Sequence, residues 1–410
     1  MTKTRIDELA IFGGAPSFTE PQHVGRPNIG DRDALMARLN DILDRCWLTN
    51  HGPYEQELER RVAAILAVKH CLAVCNATVG LEIAIRAAGL TGEVIVPAFT
   101  AAATPHAVHW LGLTPVFCDI DPRRHNIDPG RVEERITSRT TGILAVHLWG
   151  RPCDVDALSA IARRHGLRLL FDSAHAFLCS YRGALVGGFG DAEIFSFHAT
   201  KFCHSLEGGL ITTNDDTLAE RVDRMRTFGF RGADTVVSEG TNGKLNEFSA
   251  AMGLTSLEGA GDVVAVNHRN WRRTVRNLAG LPGVSVIEYD ETERNNYHYL
   301  VLEIDEVQAS VSRDALVQVL TRENVLARRH FHPGCHRWEP YRTLYPQARL
   351  RLPQTERVAA RVMLLPNGTA VSERSVDAMC AVVRVVVENA GEVMRRLAAG
   401  GLVPGHASAS

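Results

Sequence analysis

Between about residues 32 and 261 the chain repeats one pattern: a short apolar run, a turn, then a stretch with apolar residues at helical spacing. The runs are Cys71-Leu72-Ala73-Val74-Cys75, Glu93-Val94-Ile95-Val96, Pro115-Val116-Phe117-Cys118-Asp119, Gly142-Ile143-Leu144-Ala145-Val146 and Arg168-Leu169-Leu170-Phe171-Asp172. Between them, residues 54–67, 79–88 and 156–165 read as amphipathic helices. A strand that is apolar on nearly every residue must be covered on both faces, and helices returning between parallel strands supply that cover. The expected fold class is therefore α/β, with a mainly parallel sheet.

At 410 residues the chain is too long for one core. The texture changes after Leu257. Val263 to Leu278 reads as a long, arginine-rich helix joining two domains, followed by a strand over 297–302 and helices over 313–323 and 372–397. The expected division is an N-terminal arm (1–31), a large domain (32–262), a smaller α+β domain (263–397) and a flexible tail (398–410).

Forty-five Lys and Arg nearly balance 47 Asp and Glu, with no long single-sign run, so neither a nucleic-acid partner nor a membrane surface is expected. The N-terminus has no apolar signal core and no stretch reaches the roughly 18 apolar residues of a membrane span, which points to the cytoplasm. The nine cysteines are scattered without a Cys-x-x-Cys pair and read as reduced thiols. Three histidines, His330, His332 and His336, crowd one segment, but Pro333 and Gly334 make it a loop and no carboxylate flanks it. No metal is expected there, and substrate contact by His330 or His332 is the preferred role.

The candidate chemistry centres on Lys201, which closes the run Phe195-Ser196-Phe197-His198-Ala199-Thr200-Lys201 ahead of Glu207-Gly208-Gly209. An amine in apolar surroundings is pushed toward its neutral, nucleophilic form. Asp172 stands 29 positions earlier at the carboxyl end of a buried strand, where α/β proteins place their ligands. A carboxylate there keeps a ring nitrogen protonated, as an electron-sink cofactor requires, and His175 can hydrogen-bond a phenolic oxygen of that ring. Upstream, the turn Asn76-Ala77-Thr78-Val79 offers a hydroxyl and backbone amides to an anion at a helix start, although alone it is only a cap. Ser196 adds a second hydroxyl, and Asn246 opens another helix. This order of groups suits pyridoxal phosphate.

Several ordered motifs extend the pattern: Trp47-Leu48-Thr49-Asn50-His51-Gly52-Pro53, Thr114-Pro115-Val116-Phe117-Cys118-Asp119-Ile120-Asp121, Val146-His147-Leu148-Trp149-Gly150-Arg151-Pro152 and Leu245-Asn246-Glu247-Phe248. With the Asp172 and Lys201 motifs they make the chain, from about Leu9 to about Leu397, resemble the DegT/StrS sugar aminotransferases, a branch of the fold-type I pyridoxal-phosphate enzymes. The resemblance implies that Lys201 forms the Schiff base, Asp172 pairs with the pyridine nitrogen and His175 neighbours the ring oxygen. Thr78, the Val79 backbone and Ser196 would hold the phosphate, and Asn246 would reach it from the partner in a homodimer with shared sites.

It also implies a ping-pong cycle through pyridoxamine phosphate, from an amino-acid donor such as L-glutamate to a nucleotide-linked ketosugar. His198 with Glu207-Gly208-Gly209 is similar to members that aminate the 4-keto carbon, hence a dTDP-4-keto-6-deoxyhexose acceptor. A 3-ketosugar enzyme and a non-catalytic sugar-binding or regulatory protein on the same scaffold are the alternatives; related dehydratases replace the lysine with histidine. Trp47 and Thr49 are expected at the sugar and Arg231 at a nucleotide phosphate. The sequence departs from the family at Ala101, where an aromatic residue usually stacks on the cofactor ring; Phe99 is the substitute considered.

Overall fold

A computed structural model describes residues 2–401. Its core is a seven-stranded sheet of β1 (His70–Val74), β2 (Glu93–Pro97), β3 (Thr114–Cys118), β4 (Thr140–Val146), β5 (Arg168–Asp172), β6 (Ala192–Ser196) and β7 (Gly209–Thr213), in the spatial order β1-β7-β6-β5-β4-β2-β3. The pairs β2–β3, β2–β4, β4–β5 and β5–β6 are parallel, and only β7 runs antiparallel to its neighbours. The five expected strands lie within a residue or so of their predicted places. Two more, β6 and β7, complete the sheet. β7 ends in Thr212 and Thr213, both buried, with the Thr212 hydroxyl donating to the Gly187 carbonyl at 2.6 Å. Its threonines hide it from a search for apolar runs.

Helices cover both faces. The ones that matter here are α1 (Arg32–Arg45), α2 (Pro53–Leu66), α3 (Ala77–Ala87), α4 (Ala103–Trp110), α5 (Val155–His165), α6 (Asp216–Arg226) and α7 (Glu247–Glu258). Their ends are written in the sequence. Pro53 occupies the first turn of α2, and the Asp154 side chain accepts from the Ala157 amide at the start of α5, which closes on Gly166 in the left-handed region at φ 64°. Because β1, β5 and β6 run the same way, the turn at Asn76, Asp172 and Ser196 come out at one edge of the sheet. Gly209 lets that edge close up: a Cβ there would stand 2.8 Å from the Ala77 amide nitrogen.

α8 (Ala260–Leu278) leads into the smaller unit, a three-stranded antiparallel sheet of β8 (Val284–Val286), β9 (Leu300–Ile304) and β10 (Val362–Leu365) packed on α9 (Arg313–Arg322), α10 (Glu373–Glu388) and α11 (Ala390–Ala399). The helix expected over 372–397 is thus two. At Asn389 the side chain bonds back to the Val385 carbonyl at 2.8 Å, and φ falls to −121°. Of the expected tail, 402–410 lie outside the described residues. Among the described residues, no helix is long and apolar enough to cross a membrane.

The smaller unit is stitched to the loop after β5. Buried Asn296 donates from Nδ2 to the carbonyls of His175 (2.8 Å) and Phe177 (3.1 Å). The same loop is anchored from below by buried Glu193, which accepts from Ser173 Oγ at 2.5 Å and from the Gly187 and Phe189 amides.

Candidate active site

A cavity of about 480 Å³ opens where the carboxyl ends of β1, β5 and β6 meet. Asp172, His175, Lys201, Ser196 and the Asn76–Val79 turn all line it, with Ala101, Ala174, His198 and Glu207.

Asp172 is its most constrained member. The side chain is buried; Oδ2 accepts from Thr104 Oγ1 at 2.7 Å and Oδ1 from the Ala174 amide at 3.1 Å. A carboxylate only accepts, so Thr104 must donate to it, and Thr104 in turn receives the hydroxyl hydrogen of Thr100 at 3.1 Å. Burial pushes the Asp172 carboxyl above its ordinary range, against the pull of these two bonds and of Lys201. A cation facing it would reverse that shift, which is the behaviour expected of a group built to pair with a protonated ring nitrogen.

His175 has a defined tautomer. The Trp149 amide donates to its Nδ1 at 3.2 Å, and burial holds the ring well below the usual imidazole range, so it is neutral with its proton on Nε2. It can therefore donate a hydrogen bond. His298 and His330, nearby, are pushed down to about 3 by burial and are neutral as well. Lys201 has its backbone amide bonded to the His198 carbonyl at 2.8 Å, and its amine lies 3.0 Å from the Tyr299 hydroxyl. Among the described residues it forms no ion pair.

At the anion-binding turn, Asn76 caps α3 by accepting from the Val79 amide at 2.9 Å. That engages the Val79 N–H expected to serve a phosphate and leaves the Thr78 hydroxyl, Ser196 and the helix start itself. Ser196 Oγ is 3.4 Å from the His198 amide. At the mouth, His198 Nε2 stands 3.4 Å from Glu207 Oε1, and its Nδ1 is 2.8 Å from the Thr200 hydroxyl.

The remaining expected residues lie elsewhere. Phe99 is fully buried among His125, Trp149 and Phe331 and does not line the cavity, whose wall includes no Phe, Tyr or Trp. His330 approaches Tyr299, with ring centroids 6.1 Å apart, whereas His332 is turned to Arg313 and the Ala359 carbonyl. His336 pairs with Glu356 at 2.6 Å. Among the described residues no group of three or more His, Cys, Asp or Glu is placed to hold a metal. Trp47 is exposed, its Nε1 donating to the Thr49 carbonyl at 2.8 Å; Arg231 is exposed on the hairpin of Phe230–Arg231 and Thr235–Val236; Asn246 is exposed and caps α7. None of the three lines the cavity beside Lys201 in its own chain.

The residues present fit pyridoxal phosphate. A buried carboxylate with two lone-pair positions still open, a neutral imidazole donor, an amine without a counter-ion and a capped helix start surround one cavity of suitable size. Thr104, Thr100 and Tyr299 were not apparent from the sequence. A threonine pair spaced i, i+4 beside a strand end was the available signal for the first two.

A model of the DegT/DnrJ/EryC1/StrS aminotransferase family matches residues 30–384. A dTDP-4-amino-4,6-dideoxy-D-glucose transaminase of Escherichia coli is 35% identical over 357 residues, covering 86% of this chain and 95% of the relative. A protein of the same name from Shigella dysenteriae is 33% identical over 368 residues, 90% of this chain and 99% of the relative. Among solved structures, DesI in the presence of its TDP-sugar product aligns with a TM-score of 0.90 at 46% identity, covering 95% of this chain and 99% of that one. Helicobacter pylori PseC, an aminotransferase involved in the biosynthesis of pseudoaminic acid, aligns at 0.83 with 26% identity, over 90% and 100%. The chain belongs to the DegT/DnrJ/EryC1/StrS aminotransferase family, and it is a pyridoxal-phosphate-dependent aminotransferase of fold type I.

Proposed function

We propose that this family member transfers an amino group from an amino acid, with L-glutamate as the donor, to the C4 keto carbon of a dTDP-linked 4-keto-6-deoxyhexose, and that it works in the cytoplasm as a homodimer with shared sites. The observation that carries the reading is the convergence of Lys201 and Asp172, from adjoining parts of the sheet edge, on one cavity floored by a helix start. The C4 position is supported by the His198–Glu207 pair at the mouth and by the two relatives named for a 4-amino sugar.

Lys201 would hold the cofactor's aldehyde carbon, Asp172 its ring nitrogen and His175 its phenolic oxygen. Thr78, Ser196 and, from a second copy, Asn246 would hold its phosphate. When bound, pyridoxal phosphate supplies an electron sink for negative charge on the carbon bearing the amino group. Asp172 preserves that sink by staying ionised; the Thr104 and Ala174 hydrogen bonds favour its charged form, each worth about 1.5–3 kcal/mol for a charged acceptor. The Lys201 amine, once free, takes a proton from the α-carbon of the donor and delivers one to the sugar carbon that receives nitrogen. His175, His298 and His330 are neutral and cannot compete as acids near pH 7.

Support for the second copy comes from the exposed apolar side chains Trp47, Leu48, Phe228, Phe230, Val236 and Val237, which sit on the loop and hairpin that carry Thr49 and Arg231. A soluble protein rarely leaves such a patch uncovered.

The test is to give the purified, cofactor-loaded enzyme L-glutamate with 4-keto and 3-keto nucleotide sugars and to locate the new nitrogen by NMR. Amination at C4 is expected. Amination at C3 alone would replace this assignment with the 3-ketosugar reading, and no amination of either would leave the acceptor outside this substrate class.

A further inference from the structure

We propose that Tyr299 is a positioning residue for the Lys201 amine. The proposal rests on the assignment of Lys201 above. Tyr299 belongs to the smaller unit, one residue before β9, so a side chain from outside the large sheet reaches the group that does the chemistry. Its hydroxyl is 3.0 Å from Lys201 Nζ, and the amine stands 5.6 Å from its ring centre.

The tyrosine is fixed on every side. Its ring is nearly buried, packed 4.3 Å from His175, 4.5 Å from His298 and 5.5 Å from Trp149, centroid to centroid. Its carbonyl lies 3.0 Å from the hydroxyl of buried Tyr289, which also reaches the Trp149 carbonyl at 3.1 Å. A lysine, by contrast, ends a flexible four-carbon stem with several rotamers to choose from. Among the described residues Lys201 has no carboxylate within ion-pair distance, and the three imidazoles around it are neutral. The Tyr299 hydroxyl is therefore what gives the free amine one place to sit. A phenol can accept from an ammonium and donate to a neutral amine, so it serves the lysine before and after proton transfer.

A hydrogen bond to a charged partner is the stronger of the two. Removing the hydroxyl takes this hydrogen-bond partner away from the amine in either protonation state. Tyr299→Phe keeps the ring and its packing. The experiment has two parts. First, borohydride reduction of the loaded wild-type enzyme, followed by peptide mass spectrometry, identifies the lysine that holds the cofactor. Second, cofactor-free wild-type and Tyr299→Phe proteins are pulse-labelled with acetic anhydride at one fixed pH, and the rate of Lys201 modification is quantified from its peptide.

The expected result is trapping on Lys201 and Lys201 labelling roughly fivefold faster in Tyr299→Phe, the effect of losing one hydrogen bond to the amine. With it should come a kcat roughly tenfold lower and a donor KM within about threefold of wild type. Trapping on Lys201 with an unchanged labelling rate overturns the role of Tyr299 and leaves the lysine assignment standing. Trapping on another lysine overturns both.

Discussion

Around Asp172 the polar atoms are tied within one chain, whereas around Trp47 and Arg231 the same chain leaves apolar side chains in water. On the cofactor side, Thr100, Thr104, Ala174, Ser173 and Glu193 form a buried hydrogen-bonded frame beneath the cavity. On the other side, the Asn50–His51 loop and the hairpin at Phe228–Ala233 border a separate cavity of about 720 Å³ with Lys244, whose amine lies 4.6 Å from the Phe228 ring centre. The first region is finished by folding; the second keeps Trp47, Leu48, Phe228 and Phe230 exposed. On the homodimer proposed above, the cofactor side would be built from one chain and the Trp47–Arg231 side would be left to the seam with the second copy.

The sharpest way to break this contrast is to separate the two regions onto different chains. Lys201→Ala should lower turnover by about 10⁴-fold or more, and Asn246→Asp should be nearly inactive because it sets a carboxylate against a phosphate. If the regions belong to different copies, co-refolding the two variants in equal amounts should restore about a quarter of wild-type activity, since half the dimers are mixed and each has one intact site. Activity of the mixture no higher than that of the single variants would place both groups in one chain.

A smaller effect sharpens the cofactor side. Thr104→Val keeps the shape of the helix start but deletes the 2.7 Å bond to Asp172. Losing one hydrogen bond to a buried charge should cost about 1.5–3 kcal/mol, read as a kcat lower by roughly tenfold or more with a melting temperature close to wild type. An unchanged kcat would mean that Asp172 is held well enough by Ala174 alone.

The same contrast explains what could be read from the sequence. Lys201, Asp172 and His175 were legible because each sits in a short contiguous motif at a strand end, where chemistry and chain geometry coincide. Thr104 and Tyr299 were not, because they meet Asp172 and Lys201 from 68 and 98 residues away. The sheet was legible wherever strands were apolar; β7 was missed because its buried threonines satisfy their hydroxyls inside the fold. The ring-stacking position stayed open for a further reason: Ala101 lines the cavity and Phe99 is packed away from it, so the wall lacks the aromatic residue the family pattern suggested.

The last predicted effect, on stability and not on turnover, concerns the Trp47 side, where α2 begins against α7. Glu247 accepts from the Tyr54 and Glu55 amides at 3.0 and 2.8 Å, and its own amide donates to the Leu48 carbonyl, so one residue ties the Trp47 loop to the turn bearing Asn246. Beneath it Glu55 is buried beside Glu59 and Glu247 with Arg226 as the counter-ion. Burial, opposed by Arg226, pushes the Glu55 carboxyl up to about 7 from an ordinary 4.5. The folded state then binds more protons than the unfolded one between those values, so stability from this group is present below about pH 4.5 and is lost as pH rises to about 7. Glu55→Gln removes the titration. Chemical denaturation at pH 5 and pH 7.5 should show wild type losing up to about 3 kcal/mol more than the variant over that interval. An equal loss in both proteins would mean that Arg226 keeps Glu55 ionised throughout.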